Sequence, residues 1–385
     1  MPIPRYLVID IETTTKNRGE DAIGTNKASP FHPENEMVLI GCKDGSGLRV
    51  GNSHVCYPIK DFLLVGQNIK FDMLYLYRSM SWRSWSASGV IWDTQLAEYL
   101  LTGQQSKYAS LDKLAAKYGG TLKEEKIKEY WDHGIDTEDI PKKELEEYLK
   151  SDVVNTEIVF RKQYEQAEKL GMLPLIESQM EALLATIEME WNGMHFDIEK
   201  GWEQGKEVNK QLEEAKALLI TTMKKRGLID PNPSSNDHCS LFLFGGKQKY
   251  KTSEPTHPPD HDLYRYKTGA RAGEIRTRIV EKHKEIKKWI RANKEWAASK
   301  DGFWSTSDEV LSEIPRPAHP YAGAAADLLR VYRELEKDLK TYYVGYAKLF
   351  WPNDQKIHAS FNHTATNTGR LSSSKPNFQN LTKDK

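Results

Sequence analysis

The chain has 385 residues, 38% of them hydrophobic and 29% charged, a balance that suits two or three cored, water-soluble domains and excludes a disordered chain. Fifty-five Lys and Arg offset fifty-five Asp and Glu, so net charge selects no partner, and any nucleic-acid surface must come from charge segregated along the chain. No apolar run approaches the ~18 residues of a membrane span, no signal pattern precedes Asp10, and Cys42, Cys56 and Cys239 form no C-x-x-C pair, which reads as a reduced, cytoplasmic protein.

In chain order, Tyr6 to Glu12 is short and β-branched and reads as a strand. Met37 to Gly41 and Phe62 to Gly66 read as two more. Asp93 to Leu101 reads as a helix with Asp93 as its N-cap, and Ser110 to Tyr118 as another closed by Gly119-Gly120. Between Pro141 and Gly171, apolar residues recur at helical spacing from Leu145 to Leu170. Early strands followed by helices indicate an α/β layer, and a domain boundary is expected near Gly171-Met172. The pattern beyond it is mostly helical, interrupted by a proline-containing loop from Asp230 to Asp262. Residues 265–294 carry eleven Lys and Arg against three Glu, a net of +8, and Ile275, Ile279, Ile286 and Ile290 give that stretch a helical face. From Leu328 to Leu349 apolar residues alternate spacings of four and three, a coiled-coil-like seam.

Asp10 and Glu12 are two apart on a strand, so both side chains leave one face. Carboxylates held side by side repel, and a divalent cation with a preference for oxygen removes the conflict. Asn68-Ile-Lys-Phe-Asp72 follows an apolar strand and precedes a helix, which brings Asn68 and Asp72 to the end of the sheet. Tyr148 and Asp152 are four apart, one turn apart on one helix face.

The ordered set D-x-E, N-x-x-F-D and Y-x-x-x-D, with the flanks Val65-Gly-Gln-Asn68 and Trp92-Asp-Thr-Gln-Leu-Ala97, resembles the proofreading exonuclease of family A DNA polymerases, in the tyrosine-bearing branch of the DEDD superfamily. The resemblance implies a ribonuclease H-like α/β domain over residues 1–170, a mixed sheet with flanking helices. It implies a 3′-5′ exonuclease that uses two divalent ions, Mg²⁺ or Mn²⁺. Asp10, Glu12 and Asp152 would ligate one ion; Asp10 would reach the second, and Asp72 would hold it through water. Tyr148 would orient the attacking water. Asn68 and Phe71 would shape the site for a single-stranded 3′ end.

The tail T-x-T-G-R-L-S-S followed by P-N-x-Q-N, from Thr366 to Asn380, resembles the primer–template segment that opens the family A palm. Gly193-Met-His-Phe-Asp197, Asn232-Pro-Ser-Ser, Leu241-Phe-Leu-Phe-Gly-Gly246 and Gly302 to Leu311 resemble the approach to it through the thumb. Residues 171–385 are therefore expected to be a mainly α-helical, partial polymerase region, with Arg370, Asn377, Gln379 and Asn380 on the duplex. No D-x-S-x-x-E, K-x-x-x-N-F-G or H-D-E is present. The expectation is an exonuclease-bearing fragment or subunit of a bacteriophage-type split polymerase, working in the host cytoplasm, with a second polypeptide supplying the palm aspartates and fingers. A processivity factor is a further expected partner. The competing expectations are a DNA-binding subunit with an inactive nuclease site and an RNA-processing DEDD enzyme.

Overall fold

The computed structural model describes residues 3–52, 55–56, 62–86, 89–121, 126–256, 265–298 and 300–381. The chain divides into two compact units, Met1–Ile198 with Gly345–Lys385, and Glu199–Val344.

The first unit is built on a five-stranded mixed sheet. Its strands are β1 (Tyr6–Thr13), β2 (Met37–Asp44), β3 (Gly47–Gly51), β4 (Leu63–Gly66) and β5 (Val90–Asp93), in the order β3-β2-β1-β4-β5. β1 pairs antiparallel with β2 and parallel with β4. The helices are α1 (Ile69–Leu76), α2 (Met80–Ser86), α3 (Thr94–Leu101), α4 (Leu111–Tyr118), α5 (Lys126–Asp132), α6 (Lys142–Lys169) and α7 (Leu173–Asn192). Leu7 and Ile9 of β1 and all of β4's apolar residues are buried with Met73, Leu96, Leu149, Phe160 and Met180 from α1, α3, α6 and α7.

The anticipated strands and helices of this unit form where their sequence signals lie, while β3 and β5 add two strands that no signal marked. Gly171, at φ +66°, separates α6 from α7, yet α7 contributes Ile176, Met180 and Leu183 to the same core. The compact unit thus runs past the expected boundary at Gly171. Its remaining part follows β6 (Met194–His195) much later in the chain, as the short strands β9 (Phe350–Trp351), β10 (Lys356–Ile357), β11 (Ser360–Asn362) and β12 (Ser372–Ser374).

The thiols differ from expectation. Cys42 and Cys56 form a disulfide across fourteen residues, and only Cys239, buried, is free among the described cysteines. Cys42 lies on β2 and Cys56 after β3, and folding brings them together without any C-x-x-C spacing. No helix among the described residues is long and apolar enough to cross a membrane.

The second unit holds α8 (Ile198–Lys225), α9 (Asn236–Phe244), a two-stranded ribbon of β7 (Gly246–Pro255) and β8 (Thr277–Ile286), α10 (Asp308–Glu313) and α11 (Pro320–Asp338). Its core gathers Leu219, Met223, Phe242, Leu311, Ala326 and Leu329. The expected helix across 265–294 is overturned: β8 pairs with β7 over ten residues, from Gly246 opposite Ile286 to Pro255 opposite Thr277. The expected loop from Asp230 contains α9 and β7, and its far part, 257–262, lies outside the described residues. The 328–349 seam is helical but not uniform, since a π-helical turn at Leu339–Tyr343 separates α11 from α12 (Val344–Ala347). Tyr332, Tyr342 and Tyr346 are its buried members.

One close approach fixes the placement of α6. Asp10 of β1 pairs with Gly41 of β2. A Cβ on Gly41 would lie 2.8 Å from Val153 Cγ2 and 3.0 Å from Leu149 Cγ, both on α6. Glycine there lets the helix bearing Tyr148 and Asp152 sit down on the strand opposite Asp10. Gly41→Ala is expected to push α6 outward, costing about 1–3 kcal/mol of stability, with Val153→Ala restoring part of it. Denaturant unfolding of the single and double variants checks this.

Candidate metal centre

β1 presents Asp10 and Glu12 on one face, and its pairing with β2 becomes irregular between Glu12 and Thr13. The irregularity ends regular pairing just past the two acids, as bulges at sheet margins commonly do. From α6 comes Asp152, buried, one helical turn beyond Tyr148. Asp10, Glu12 and Asp152 each offer a carboxylate oxygen, and the three oxygens lie within 4.8 Å of one another.

Asp72 joins them from α1. The chain leaves β4 through Gln67 and Asn68, and Asn68 adopts the left-handed conformation at φ 52°, which asparagine tolerates better than most residues. That turn starts α1 so that Asp72 points back at the sheet, where its Oδ1 accepts from the Ile11 amide at 3.1 Å. Ile11 is the residue between Asp10 and Glu12, so Asp72 is tied to the strand segment bearing both. Burial pushes the Asp72 carboxyl well above the usual carboxylate range, and the Asp10 charge pushes it the same way.

Asp93 braces this junction. Its Oδ2 accepts from Ile69 N at 2.8 Å, and its Oδ1 from Gln95 N and Leu96 N at 2.8 and 2.9 Å. One carboxylate thus caps α1 and α3 together, beyond the single cap that the sequence indicated. Burial raises its carboxyl too, against the lowering effect of these amide donors.

Tyr148 is half-buried and meets Trp131 edge to face, with ring centroids 5.8 Å apart. Trp131 shares with Glu12, Arg18, Lys27 and Phe71 the wall of a cavity of about 240 Å³. Phe71 also lines a larger cavity of about 600 Å³, with Asn68, Gln95, Asn362, His363 and Lys375. Burial, with the Lys70 charge, pushes the His363 imidazole down to about 4, so it is neutral at ordinary pH. Its Nε2 lies 2.9 Å from the Thr186 hydroxyl.

The predicted site residues fall into two groups. Asp10, Glu12 and Asp152 come together, and Asp72 is hydrogen-bonded to the strand that bears the first two; Tyr148 lies one turn from Asp152, and Asn68 and Phe71 lie at the start of α1, on the wall of the larger cavity. Arg370, Asn377, Gln379 and Asn380 are all exposed on the segment around β12 and line neither cavity. Asn377 accepts from Gln379 N at 3.1 Å, and Gln379 Nε2 donates to Leu371 O at 3.0 Å.

Sequence reasoning missed several residues here. Arg18 and Lys27 lie, with Lys16, in the polar loop that follows D-x-E, a signal too common to single out. Lys70 lay in plain view inside N-I-K-F-D. Its ammonium pairs with Glu190 of α7 at 2.7 Å and donates to Ser360 Oγ at 3.1 Å and Phe361 O at 2.8 Å. Its partners could not be found by spacing, because they lie 120 to 291 residues away.

The sequence profile of 3′-5′ exonucleases matches residues 59–164, and that of DNA polymerase family A matches residues 273–385. The DNA polymerase I of Bacillus caldotenax is 42% identical over 83 residues, covering 22% of this chain and 9% of that protein. The thermostable DNA polymerase I of Thermus thermophilus is 46% identical over 82 residues, 21% of this chain and 9% of that protein. The DNA polymerase I of Bacillus subtilis strain 168 is 24% identical over 316 residues, 81% of this chain and 29% of that protein. Each match thus covers less than a third of its relative's length. Among solved structures, the POL domain of Pol1 from M. smegmatis, in complex with DNA primer-template and dNTP, has a TM-score of 0.62 at 17% identity. It covers 99% of this chain and 53% of that one, a likeness of fold. The two profile matches fall in the order that the motifs anticipate: the chain is similar to 3′-5′ exonucleases over residues 59–164, which hold Asp72, Tyr148 and Asp152, and to family A DNA polymerases over residues 273–385.

Proposed function

We propose that the chain removes nucleotides from the 3′ ends of DNA strands by metal-dependent phosphodiester hydrolysis, proofreading within a family A polymerase. The observation that carries this is the convergence of Asp10, Glu12 and Asp152 oxygens within 4.8 Å, with the buried Asp72 tied to the same strand. Three acidic groups at that separation repel strongly unless a cation lies among them. An all-carboxylate donor set suits Mg²⁺ or Mn²⁺.

Asp10, Glu12 and Asp152 hold one ion in this reading, and Asp10 and Asp72 the second. Bound there, paired divalent ions supply stabilisation of the attacking and leaving oxygens of an in-line displacement. The protein's own groups do the rest. Tyr148 orients the attacking water through its hydroxyl; a phenol that titrates near 10 when free suits positioning rather than proton abstraction. Phe71 and Trp131 offer ring faces to the terminal bases, and Arg18 and Lys27 offset phosphate charge beside Glu12. Asn68 shapes the approach. The intact cluster weighs against a DNA-holding subunit with an inactive site.

Functionally, residues 1–170 are assigned to the nuclease and 171–385 to a partial polymerase region that contacts the primer–template. Arg370, Asn377, Gln379 and Asn380 are exposed, as contact with duplex DNA requires. Among the described residues, one acidic group of three or more can hold a metal, the one at Asp10.

Asp10→Ala with Glu12→Ala is expected to slow Mg²⁺-dependent digestion of a 3′-labelled single strand at least ~100-fold, with the circular dichroism melt retained. Wild-type digestion by the double variant would sink the assignment. A second prediction follows from Asp72. Burial and the Asp10 charge favour its protonated form, so a cation bound there competes with a proton. Calorimetric Mn²⁺ titrations in two buffers of different ionisation enthalpy should show net proton release. Asp72→Asn should reduce that release, and equal release from wild type and variant would refute Asp72 as its source.

A further inference from the structure

Lys70 is a buried charge for which the chemistry proposed above has no use. It is the second residue of α1, two before Asp72. Two residues are about 200° of helix, so the two side chains leave α1 on opposite sides. Asp72 turns to β1, where its Oδ1 accepts from Ile11 N at 3.1 Å. Lys70 turns to α7 and β11, where its Nζ lies 2.7 Å from Glu190 Oε1 and donates to Ser360 Oγ at 3.1 Å and Phe361 O at 2.8 Å. The Lys70 and Glu190 side chains are 14% and 4% exposed. An ammonium has three protons to donate, and these three acceptors take them all.

The anchor that Lys70 grips is itself fixed. Glu190 Oε1 accepts from Phe361 N at 2.5 Å, and Glu190 O lies 2.7 Å from His358 Nδ1. Further along, His363 Nε2 lies 2.9 Å from the Thr186 hydroxyl, and the Tyr99 hydroxyl donates to Thr366 O at 2.7 Å. The stretch around β11 is therefore held to α7 and α3 without Lys70, and Lys70 adds the tie to α1. That helix is short. The Ile69 amide on Asp93 Oδ2 fixes its start, and Ile69, Met73 and Leu74 pack it on the core. Apolar contact is non-directional, so it resists separation better than it resists a roll about the helix axis. A roll of ~10° displaces an atom ~6 Å from the axis by about 1 Å. A misplacement of that size at a reacting centre costs on the order of 100-fold in rate.

We propose that Lys70 is a positioning residue for the nuclease: by tying α1 to β11 it sets the roll of the helix, and so the place of the Asp72 carboxylate on the strand that bears Asp10 and Glu12. This rests on the reading of that centre as a metal-dependent nuclease. It makes the centre depend on Ser360, 290 residues further along the chain, in the segment similar to family A polymerases. Cutting the tie while keeping the fold should therefore slow hydrolysis. An ion pair that only stabilises predicts otherwise. Removing both of its charges together also removes their desolvation cost, and nothing changes at Asp72.

The test uses the full chain. Lys70→Met alone strands the Glu190 carboxylate in a buried site and is expected to lower the melting temperature. Lys70→Met/Glu190→Gln removes both charges, leaves Phe361 N an acceptor, and is expected to bring the melt back toward wild type. In Mg²⁺-dependent digestion of a short 3′-labelled single strand, this double variant should still lose kcat by roughly 10–100-fold, with KM unchanged. Lys70→Arg, which keeps a charged donor toward Ser360 and Phe361, should retain most of the rate. The Ile11 amide gives a second readout by hydrogen exchange in the metal-free protein. Its exchange should be about tenfold faster or more in the double variant, whose Asp72 acceptor is no longer held. Wild-type kcat in the double variant, or wild-type exchange at Ile11, would overturn the positioning role. Exchange is measured without metal or substrate, so it decides the role of Lys70 by itself; a wild-type chain that digests nothing would count against the nuclease reading instead.

Discussion

The constraint on which the acidic site depends is that carboxylates which repel one another must be held together by the rest of the fold. Asp10 and Glu12 come adjacent simply by sharing a strand face. Asp152 is forced on them by a helix that Gly41 admits to close range, and Asp72 by a hydrogen bond to the amide between the two acids. Each brace is local and rigid: a strand register, a glycine contact, an Asn68 turn, an Asp93 double cap. Preorganisation of this kind loads the electrostatic cost into folding, so a cation entering the site relieves strain instead of having to assemble its ligands.

Lys70 carries the same logic outward. It sits two residues before Asp72, on the helix that positions it, and its ammonium is shared by Glu190 and the backbone at Phe361. Glu190 Oε1 accepts in turn from Phe361 N. Burial raises the Glu190 carboxyl, with Lys70 opposing the rise, so the pair holds together because each partner compensates the other's desolvation. The consequence is structural: segment 358–364 packs against α1 and α7, and the segment that matches the exonuclease profile shares a compact unit with the last part, 345–385, of the segment that matches the polymerase profile.

Legibility in the sequence followed the burial of each element. β1, β4, α3, α4 and α6 face a core or carry caps, and their periodicity or cap residues disclosed them. Asp10, Glu12, Asp72, Tyr148 and Asp152 were singled out because their ordered motifs together resemble a known family; spacing of two to four residues fixes each local pair, and the fold then brings Asp10, Glu12 and Asp152 within reach of one another. β3 and β5 were missed: β3 is only half-buried along its length, and β5 ends in the Asp93 that reads as the cap of α3 and begins at an exposed Val90, so it lacks the unbroken buried apolar run that disclosed β4. The ribbon was misread for a physical reason. With neither face buried along most of its length, alternation leaves no hydrophobic trace, and four isoleucines happened to fall at helical intervals. Gly245 and Gly246, both at positive φ, mark the turn out of α9. A Cβ on Gly245 would meet Ile286 O and Lys288 N at 2.6 Å, a contact visible only once β8 is in place. The Cys42–Cys56 bridge escaped for the same reason, being a product of β2 and the loop after β3 meeting in space.

A net charge of zero therefore conceals two opposite fields. The first unit concentrates negative charge at a buried point, where it can act only on a cation of matching size. The second spreads positive charge along an exposed ribbon. These demands are opposed: an acidic site needs burial and fixed geometry to bind a small ion tightly, whereas phosphate contacts need exposure and tolerate side-chain freedom. Compositional balance across the whole chain is what remains when the acidic cluster and the basic ribbon are separated onto different elements.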